Sequence, residues 1–204
     1  QGDCLDIMPL IPDKSVQLIL ADPPYGTTAC KWDSIIPLEP MWEQLKRIIK
    51  PNGAIVMTAS QPFTTTLIAS NMKMFKYCWV WNKKIGSNFA SASKMPLKIH
   101  EDVCVFGGKK YYPIKTKGEM RKKGGGKQFV GVYGENQSER VSESYWSDEY
   151  HPTTIIEIGN SSRRGKVHPT QKPVALMEYL IRTYTQEGDT VLDCFMGSGT
   201  TGLA

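Results

Sequence analysis

The tetrapeptide Asp22-Pro23-Pro24-Tyr25, directly after the apolar run Val16 to Ala21, constrains this chain more than any other feature. Val16, Leu18 and Ile19 read as a buried strand, and two successive prolines must end it because neither can donate a ladder hydrogen bond. A loop therefore begins at Asp22, where strand ends in open α/β sheets face ligand crevices. Asp22 can accept one hydrogen of an exocyclic amine and the Pro23 carbonyl another, which turns the nitrogen lone pair out of conjugation with its ring. Tyr25 offers a flat face for stacking a base. The plain alternative is a rigid turn, with Tyr25 packed on the core.

A second element lies far downstream, in Asp193-Cys194-Phe195-Met196-Gly197-Ser198-Gly199-Thr200-Thr201-Gly202. Thr190 to Leu192 form a short β-prone run, and the glycine-rich turn after it leads into a helix expected near Thr200. Such a turn lets a ligand approach the main chain, and the amides at the helix start suit an anion such as a methionine carboxylate. Asp193 can hold the accompanying ammonium. No Lys precedes the Ser/Thr position, so a triphosphate loop is disfavoured. Gly197, Gly199 and Gly202 do match a dinucleotide fingerprint, and a nicotinamide-dependent oxidoreductase stays formally open, although Asp22 to Tyr25 has no task in one.

Taken together, these residues resemble the amino-group DNA methyltransferases, which make N6-methyladenine or N4-methylcytosine, and specifically the circularly permuted β class. The order is the same: catalytic segment, target recognition region, cofactor motif. Gly2-Asp3, His100-Glu101 and His168-Pro169-Thr170-Gln171-Lys172-Pro173 also look like signatures of that family. The resemblance implies a Rossmann-like S-adenosylmethionine-dependent α/β fold with a mostly parallel sheet and a reversed last strand. It implies Asp22, Pro23, Pro24 and Tyr25 as the catalytic segment, with Tyr25 stacking a flipped base. For the cofactor it implies Asp3 near the adenine, Lys172 and Pro173 beside the methionine end, and the Asp193, Phe195, Gly197, Ser198, Gly199, Thr200 and Thr201 turn. Cys194 stands where the family commonly has proline. The family's acidic ribose-binding residue lies beyond this motif, past Ala204, so both ends are read as cut and strands are expected outside them.

Helices are expected over residues 40–50, 62–71 and 173–184, and strands at 16–21, 54–58, 77–81, 102–106 and 190–192. Five strands give a parallel sheet covered on both faces. The domain reading is 1–86 for the catalytic part, 87–164 for target recognition with strand 102–106 returned to the core, and 165–204 for the cofactor part.

Net charge is +5, modest for a nucleic-acid binder, but its distribution says more. Lys109, Lys110, Lys115, Lys117, Arg121, Lys122, Lys123 and Lys127 face Glu119 alone in their stretch, with Tyr111 and Tyr112 among them, as a double-stranded DNA contact would need. Arg163 and Arg164 add a second basic cluster. A solvated loop is the competing reading. Five cysteines without a Cys-x-x-Cys pair argue for a reducing cytoplasm and against disulfides or zinc, and the family resemblance implies a bacterial or phage-infected cell. Three separated histidines give no metal site, and no apolar stretch spans a membrane. The leading expectation is S-adenosylmethionine-dependent methylation of adenine N6 in DNA, by base flipping and direct transfer. N4-cytosine methylation and a non-catalytic DNA-binding fragment are the alternatives; a homodimer is possible.

Overall fold

The computed structural model describes residues 2–28, 30, 33–125, 127–128, 140–141, 143–160 and 171–204. The elements in chain order are α1 (Cys4–Ile7), β1 (Val16–Ala21), α2 (Leu38–Ile48), β2 (Ile49–Ala59), α3 (Phe63–Ser70), β3 (Phe75–Ser87), β4 (Lys98–Gly107), β5 (Thr116–Lys123), β6 (Lys127–Gln128), β7 (Arg140–Val141), β8 (Tyr145–Tyr150), β9 (Ile155–Glu157), α4 (Val174–Tyr184), β10 (Val191–Leu192) and α5 (Thr200–Leu203). They divide into two compact units, residues 113–152 forming the second and the rest the first. The second unit lies within the 87–164 stretch read from sequence; β4, the strand assigned there to the core, joins the main sheet, and so does β9.

That sheet has six strands in the order β10-β1-β2-β4-β3-β9. β10, β1 and β2 pair in parallel, as do β3 and β9; only β4 is antiparallel to its neighbours. One reversed strand in a mostly parallel sheet matches the expected Rossmann-like methyltransferase pattern. The sixth strand was not anticipated. Ile155 to Glu157 is too short to show a period by itself, and it becomes a strand by hydrogen bonding beside Val80 to Asn82.

Alternate residues of each strand face opposite sides. Ile19, Ala21, Ile55, Met57 and Ala59 face a cluster closed by Met41, Trp42, Leu45 and Ile48 of α2 and by Phe63 and Leu67 of α3. Leu18, Leu20, Ala54, Val56, Trp79 and Trp81 face the other side, closed by Leu176, Met177, Leu180 and Tyr184 of α4. Both tryptophans are core residues. A sheet buried on both faces explains why its strands read as continuous apolar runs.

The predicted break at Pro51-Asn52-Gly53 is instead a bulge within β2. The register steps from Val16↔Ile49 to Leu18↔Ala54, so three extra residues lie on β2. A side chain at Gly53 would meet the Gln17 carbonyl oxygen at 2.6 Å, so only glycine permits β2 to press this closely on β1. Beyond the bulge the pairing runs without interruption to Ala21↔Met57, which delivers both strands to the same end of the sheet.

Ile55 is fully buried in β2. Ile55→Ala should lower unfolding free energy by about 2–5 kcal/mol in a denaturant titration, the usual cost of truncating a large core side chain.

Candidate active site

β10 and β1 are adjacent and parallel, with Ile19 opposite Leu192. Asp193 leaves β10 immediately after that pair, and Asp22 leaves β1 three residues after it, so the two motifs emerge from neighbouring strand ends. Strands in a sheet lie about 4.8 Å apart, which makes the two loops neighbours by construction. On the other side of β1, Ala21 pairs with Met57, setting Thr58 beside Asp22. Ala59 pairs with Asp102 of the reversed strand β4, which brings Glu101 to this edge. Trp81 pairs with Glu101 and carries Lys83 in from β3.

Two cavities share this edge. One of about 440 Å³ is lined by Gly2, Asp3, Cys4, Asp22, Pro24, Ile36, Gln171, Lys172, Met177 and residues 193–198, 200 and 201. The other, about 280 Å³, is lined by residues that include Asp22, Tyr25, Asp33, Ser60, Trp81, Lys83, Lys98, Glu101 and Lys172. Asp22, Gln171 and Lys172 belong to both walls. Volumes of this order are those of small-molecule sites.

Asp22 is held from three directions. Its Oδ1 accepts hydrogen bonds from the Tyr25 hydroxyl at 2.8 Å and from the Thr58 hydroxyl, and the Lys172 ammonium donates to Oδ2 at 2.8 Å. Lys172 directly precedes α4, with Pro173 at the helix N-cap in an extended conformation. Burial opposes the Lys172 charge, yet the Asp22 and Glu101 carboxylates outweigh it and hold its pKa above the ordinary lysine value. The Tyr25 ring stacks on Phe63, with centroids 5.5 Å apart and planes 20° apart. Burial, with the negative charges of Asp22 and Glu101, pushes its phenol well above its ordinary pKa, so it remains a donor to Asp22. Both sequence alternatives for Tyr25 thus describe part of its position: it packs on the core, and it borders the smaller cavity.

Asp193 accepts from the Phe195 amide at 3.0 Å and from the Thr201 hydroxyl at 2.6 Å, which folds the turn back on itself. Burial raises its pKa; the Thr201 and Phe195 hydrogen bonds oppose this, and the charge of Asp22 adds to it. Asp193 is half-buried, and a carboxylate whose ionised form is disfavoured by desolvation gains from a cationic ligand beside it. Gly199 has φ +77° with open space where a Cβ would stand, so its role is conformational.

Of the residues proposed from sequence, Asp3, Lys172, Asp193, Phe195, Gly197, Ser198, Thr200 and Thr201 line the larger cavity, together with Asp22 and Pro24. Pro23 is buried, and Pro23, Pro173 and Gly199 line neither cavity. Asp3 also caps α1, accepting from the Leu5 amide at 2.8 Å. Lys109 and Lys110 belong to the first unit; Lys115, Lys117, Arg121, Lys122 and Lys123 belong to the second. Arg163, Arg164, His168 and the Lys127 side chain lie outside the described residues. Among the described residues no group of His, Cys, Asp and Glu could hold a metal, and no helix is long and apolar enough to cross a membrane.

The second unit contains a two-stranded antiparallel ribbon of β5 and β8. Met120, Tyr145 and Trp146 are exposed on it. Lys115 pairs with Glu149 at 2.8 Å, Arg121 pairs with Glu119 at 2.9 Å, and the Lys123 ammonium sits 3.9 Å from the centre of the Tyr150 ring. Lys117 and Lys122 make no ion pair among the described residues, which leaves their charge available to an anionic partner.

Several site residues were missed from sequence. Asp33 receives four backbone amides, from Tyr25 (2.8 Å), Gly26 (2.9 Å), Thr27 (3.0 Å) and Thr28 (2.7 Å), and so moulds the loop after the tetrapeptide. Its only signal was an aspartate shortly after a run of small residues. His100-Glu101 resembles a family signature in the sequence, but nothing local gives Glu101 a role or pairs it with Lys83. Ser60 is buried with an unpaired hydroxyl at the wall of the smaller cavity.

A family model of DNA methylases, N6_N4_Mtase, matches residues 16–204, nearly the whole chain. The chain belongs to the N6/N4 DNA methylase family. Among its relatives is the type II methyltransferase M1.MboII of Moraxella bovis, 28% identical over 232 residues, with 100% of this chain and 85% of that one covered. M2.MboI of the same organism is 26% identical over 234 residues, covering 100% and 77%. Among solved structures, the PvuII DNA methyltransferase, cytosine-N4-specific by its description, superposes with TM-score 0.67 at 18% identity over 99% of this chain and 75% of that one. The M1.HpyAVI complex with S-adenosylmethionine superposes at 0.62 with 23% identity, covering 100% and 84%. The methylase is S-adenosylmethionine-dependent, and DNA is the substrate its family acts on. The larger cavity fits such a cofactor: it offers a half-buried carboxylate, Asp193, suited to a cation beside apolar walls at Ile36, Met177 and Phe195.

Partial burial opposes ionisation of Asp33, but the hydrogen bonds from Thr28, Gly26 and Tyr25 outweigh it and hold its pKa below the ordinary value. A depressed carboxyl stabilises the fold fully above its unfolded value and loses that contribution as pH falls through the lower folded one. Asp33→Ala should therefore speed amide exchange at Tyr25 to Thr28 while amides of β1 keep their protection; unchanged exchange in the loop would contradict this role.

Proposed function

We propose that this methylase transfers the methyl group of S-adenosylmethionine to the exocyclic N6 of adenine in double-stranded DNA. The observation that carries the proposal is Asp22, a carboxylate held in place at the common wall of the two cavities. A carboxylate has about four acceptor positions, and Tyr25, Thr58 and Lys172 occupy three. One remains to take an amine hydrogen. A backbone carbonyl of the loop, Pro23 being the candidate from sequence, takes the other, which keeps the lone pair out of the ring and available for alkylation. Asp22 and Tyr25 thus form the acceptor side, Tyr25 bordering the smaller cavity that would take the base, while Pro24 of the same segment lines the larger cavity.

On the donor side, Asp3, Lys172, Asp193, Phe195, Gly197, Ser198, Thr200 and Thr201 would hold the cofactor, with Pro173 and Gly199 setting the backbone around them. The cofactor supplies an electrophilic methyl on a sulfonium. The Asp193 carboxylate holds the ammonium of the methionine portion, and Ile36, Met177 and Phe195 exclude water from the apolar parts. No cysteine needs to act as a nucleophile. The Cys194 thiol, raised by burial and by Asp193, is held in its neutral form.

Extrusion of the target base costs a few kcal/mol, which stacking and phosphate contacts offset. The basic residues Lys109, Lys110, Lys115, Lys117, Arg121, Lys122, Lys123, Lys127, Arg163 and Arg164 are the proposed DNA contacts. Residues 113–152, with exposed Met120, Tyr145 and Trp146 on a ribbon, form the proposed heart of target recognition. A DNA substrate supports a cytoplasmic setting in a bacterial or phage-infected cell.

Adenine is favoured over cytosine because aspartate opens the tetrapeptide, an association within the family. Both bases present the same two amine hydrogens. Asp22→Ala should abolish methyl incorporation into DNA, and nucleoside mass spectrometry of DNA treated with wild-type protein should yield N6-methyladenine. N4-methylcytosine alone would overturn the adenine assignment, and full activity of Asp22→Ala would overturn the acceptor site.

Cofactor binding should also depend on pH through Asp193. The ammonium favours the carboxylate, so affinity is complete well above the raised pKa and falls as pH drops through it, with binding in that window releasing a proton. Calorimetry in buffers of different ionisation enthalpy measures that release. Affinity that rose toward acid would contradict the assignment.

A further inference from the structure

Between the two cavities lies a buried chain of alternating charge. The Lys83 ammonium is 3.1 Å from Glu101 Oε1, the Lys172 ammonium is 3.4 Å from Glu101 Oε2, and the same Lys172 ammonium is 2.7 Å from Asp22 Oδ1. Lys83 is 6% exposed and Lys172 8%. Among the described residues, the Lys172 ammonium is the ion-pair partner of Glu101 Oε2. Removing charges from water costs about as much as pairing them returns, so the arrangement adds little to stability and much to geometry.

The geometry concerns where the Lys172 ammonium points. It borders both cavities, and a lysine side chain is long enough to swing between them. Turned toward the larger cavity, it would set a positive charge beside a cationic ligand and release Asp22 from one of its three donors. Glu101, on the acceptor side only, draws the ammonium the other way, and Lys83 keeps Glu101 from following it.

We propose that Glu101, braced by Lys83, is a positioning residue for methyl transfer: it holds Lys172 against Asp22 so that the carboxylate keeps its single open acceptor position aimed at the base amine. The proposal rests on the reading of Asp22 as amine acceptor. It gives Lys172 a task facing the base, where the family resemblance pointed to the methionine end of the cofactor.

The test uses the whole chain, unmethylated genomic DNA and S-adenosylmethionine, with kcat measured at saturating cofactor. Misplacement of a reacting group by about 1 Å costs about 10²-fold, so Glu101→Gln should lower kcat by between about 10- and 100-fold. Cofactor Kd from calorimetry should stay within about twofold, because the defect lies on the acceptor side. Glu101→Gln combined with Lys172→Met should be no worse than Lys172→Met alone, because Glu101 acts through Lys172. Wild-type kcat in Glu101→Gln, a loss confined to cofactor Kd, or losses that multiply in the double variant would each overturn the proposal. A readout independent of turnover is the ¹⁵Nζ resonance of Lys172, which should shift in Glu101→Gln; an unchanged resonance would overturn the proposal too. If Glu101→Gln does not fold, Lys83→Met serves in its place, with a several-fold loss of kcat expected and wild-type kcat overturning the proposal. Asp22→Ala separates the two levels: its retained activity would sink the acceptor reading itself, whereas an inactive Asp22→Ala beside an unaffected Glu101→Gln would sink this proposal alone.

Discussion

The parallel pairing of β1 with β10 is the interaction on which the site depends. Two short motifs some 170 residues apart in sequence become neighbours because Leu18 and Ile19 pair with Val191 and Leu192. Nothing in either loop has to recognise the other. β10 is only two residues long, yet it decides where Asp193 and the glycine-rich turn are delivered. The bulge at Pro51 to Gly53 serves the same end on the other side, letting β2 re-register so that Thr58 reaches Asp22. Parallel strands present their carboxyl ends on one edge of a sheet, and the reversed strand β4 brings Glu101 to that edge from the opposite direction.

Electrostatics then divides that edge into two compartments. Asp22 and Lys172 form the partition, each bordering both cavities. Lys83, Glu101, Lys172 and Asp22 balance to zero charge, while Asp193 adds one negative charge beside the larger cavity. A cationic methyl donor is matched to that surplus. Two hydroxyls and an ammonium fix the Asp22 carboxylate, which in the proposed reaction would carry the directional information for the acceptor.

Much of this was legible in the sequence, and the residues show why the rest was not. Pro23 and Pro24 announce where β1 must stop, and Pro173 followed by helical spacing announces α4, because proline acts on its own backbone regardless of context. The Asp22 and Asp193 motifs carry dense local chemistry. Glu101 stood in a recognisable pair, His100-Glu101, but its link to Lys83 was hidden until tertiary pairing set the two 3.1 Å apart. Asp33 is similar, since the amides it gathers belong to a loop whose shape it creates. β9 escaped notice because three residues have no period. The joining of Ile49 and Lys50 to β2 was hidden by a proline and glycine that normally end a strand, here absorbed in a bulge.

The most direct test is a crystal structure of the protein with a non-transferable S-adenosylmethionine analogue and a DNA duplex bound together. The amino-acid portion of the analogue should lie beside Asp193 in the larger cavity, with a flipped base against Tyr25 in the smaller one. The donor position and the amine should approach within about 3–3.5 Å past the Asp22 and Lys172 partition, the separation a reacting pair requires. A base held elsewhere on the protein, or an analogue seated away from the Asp193 turn, would contradict the account.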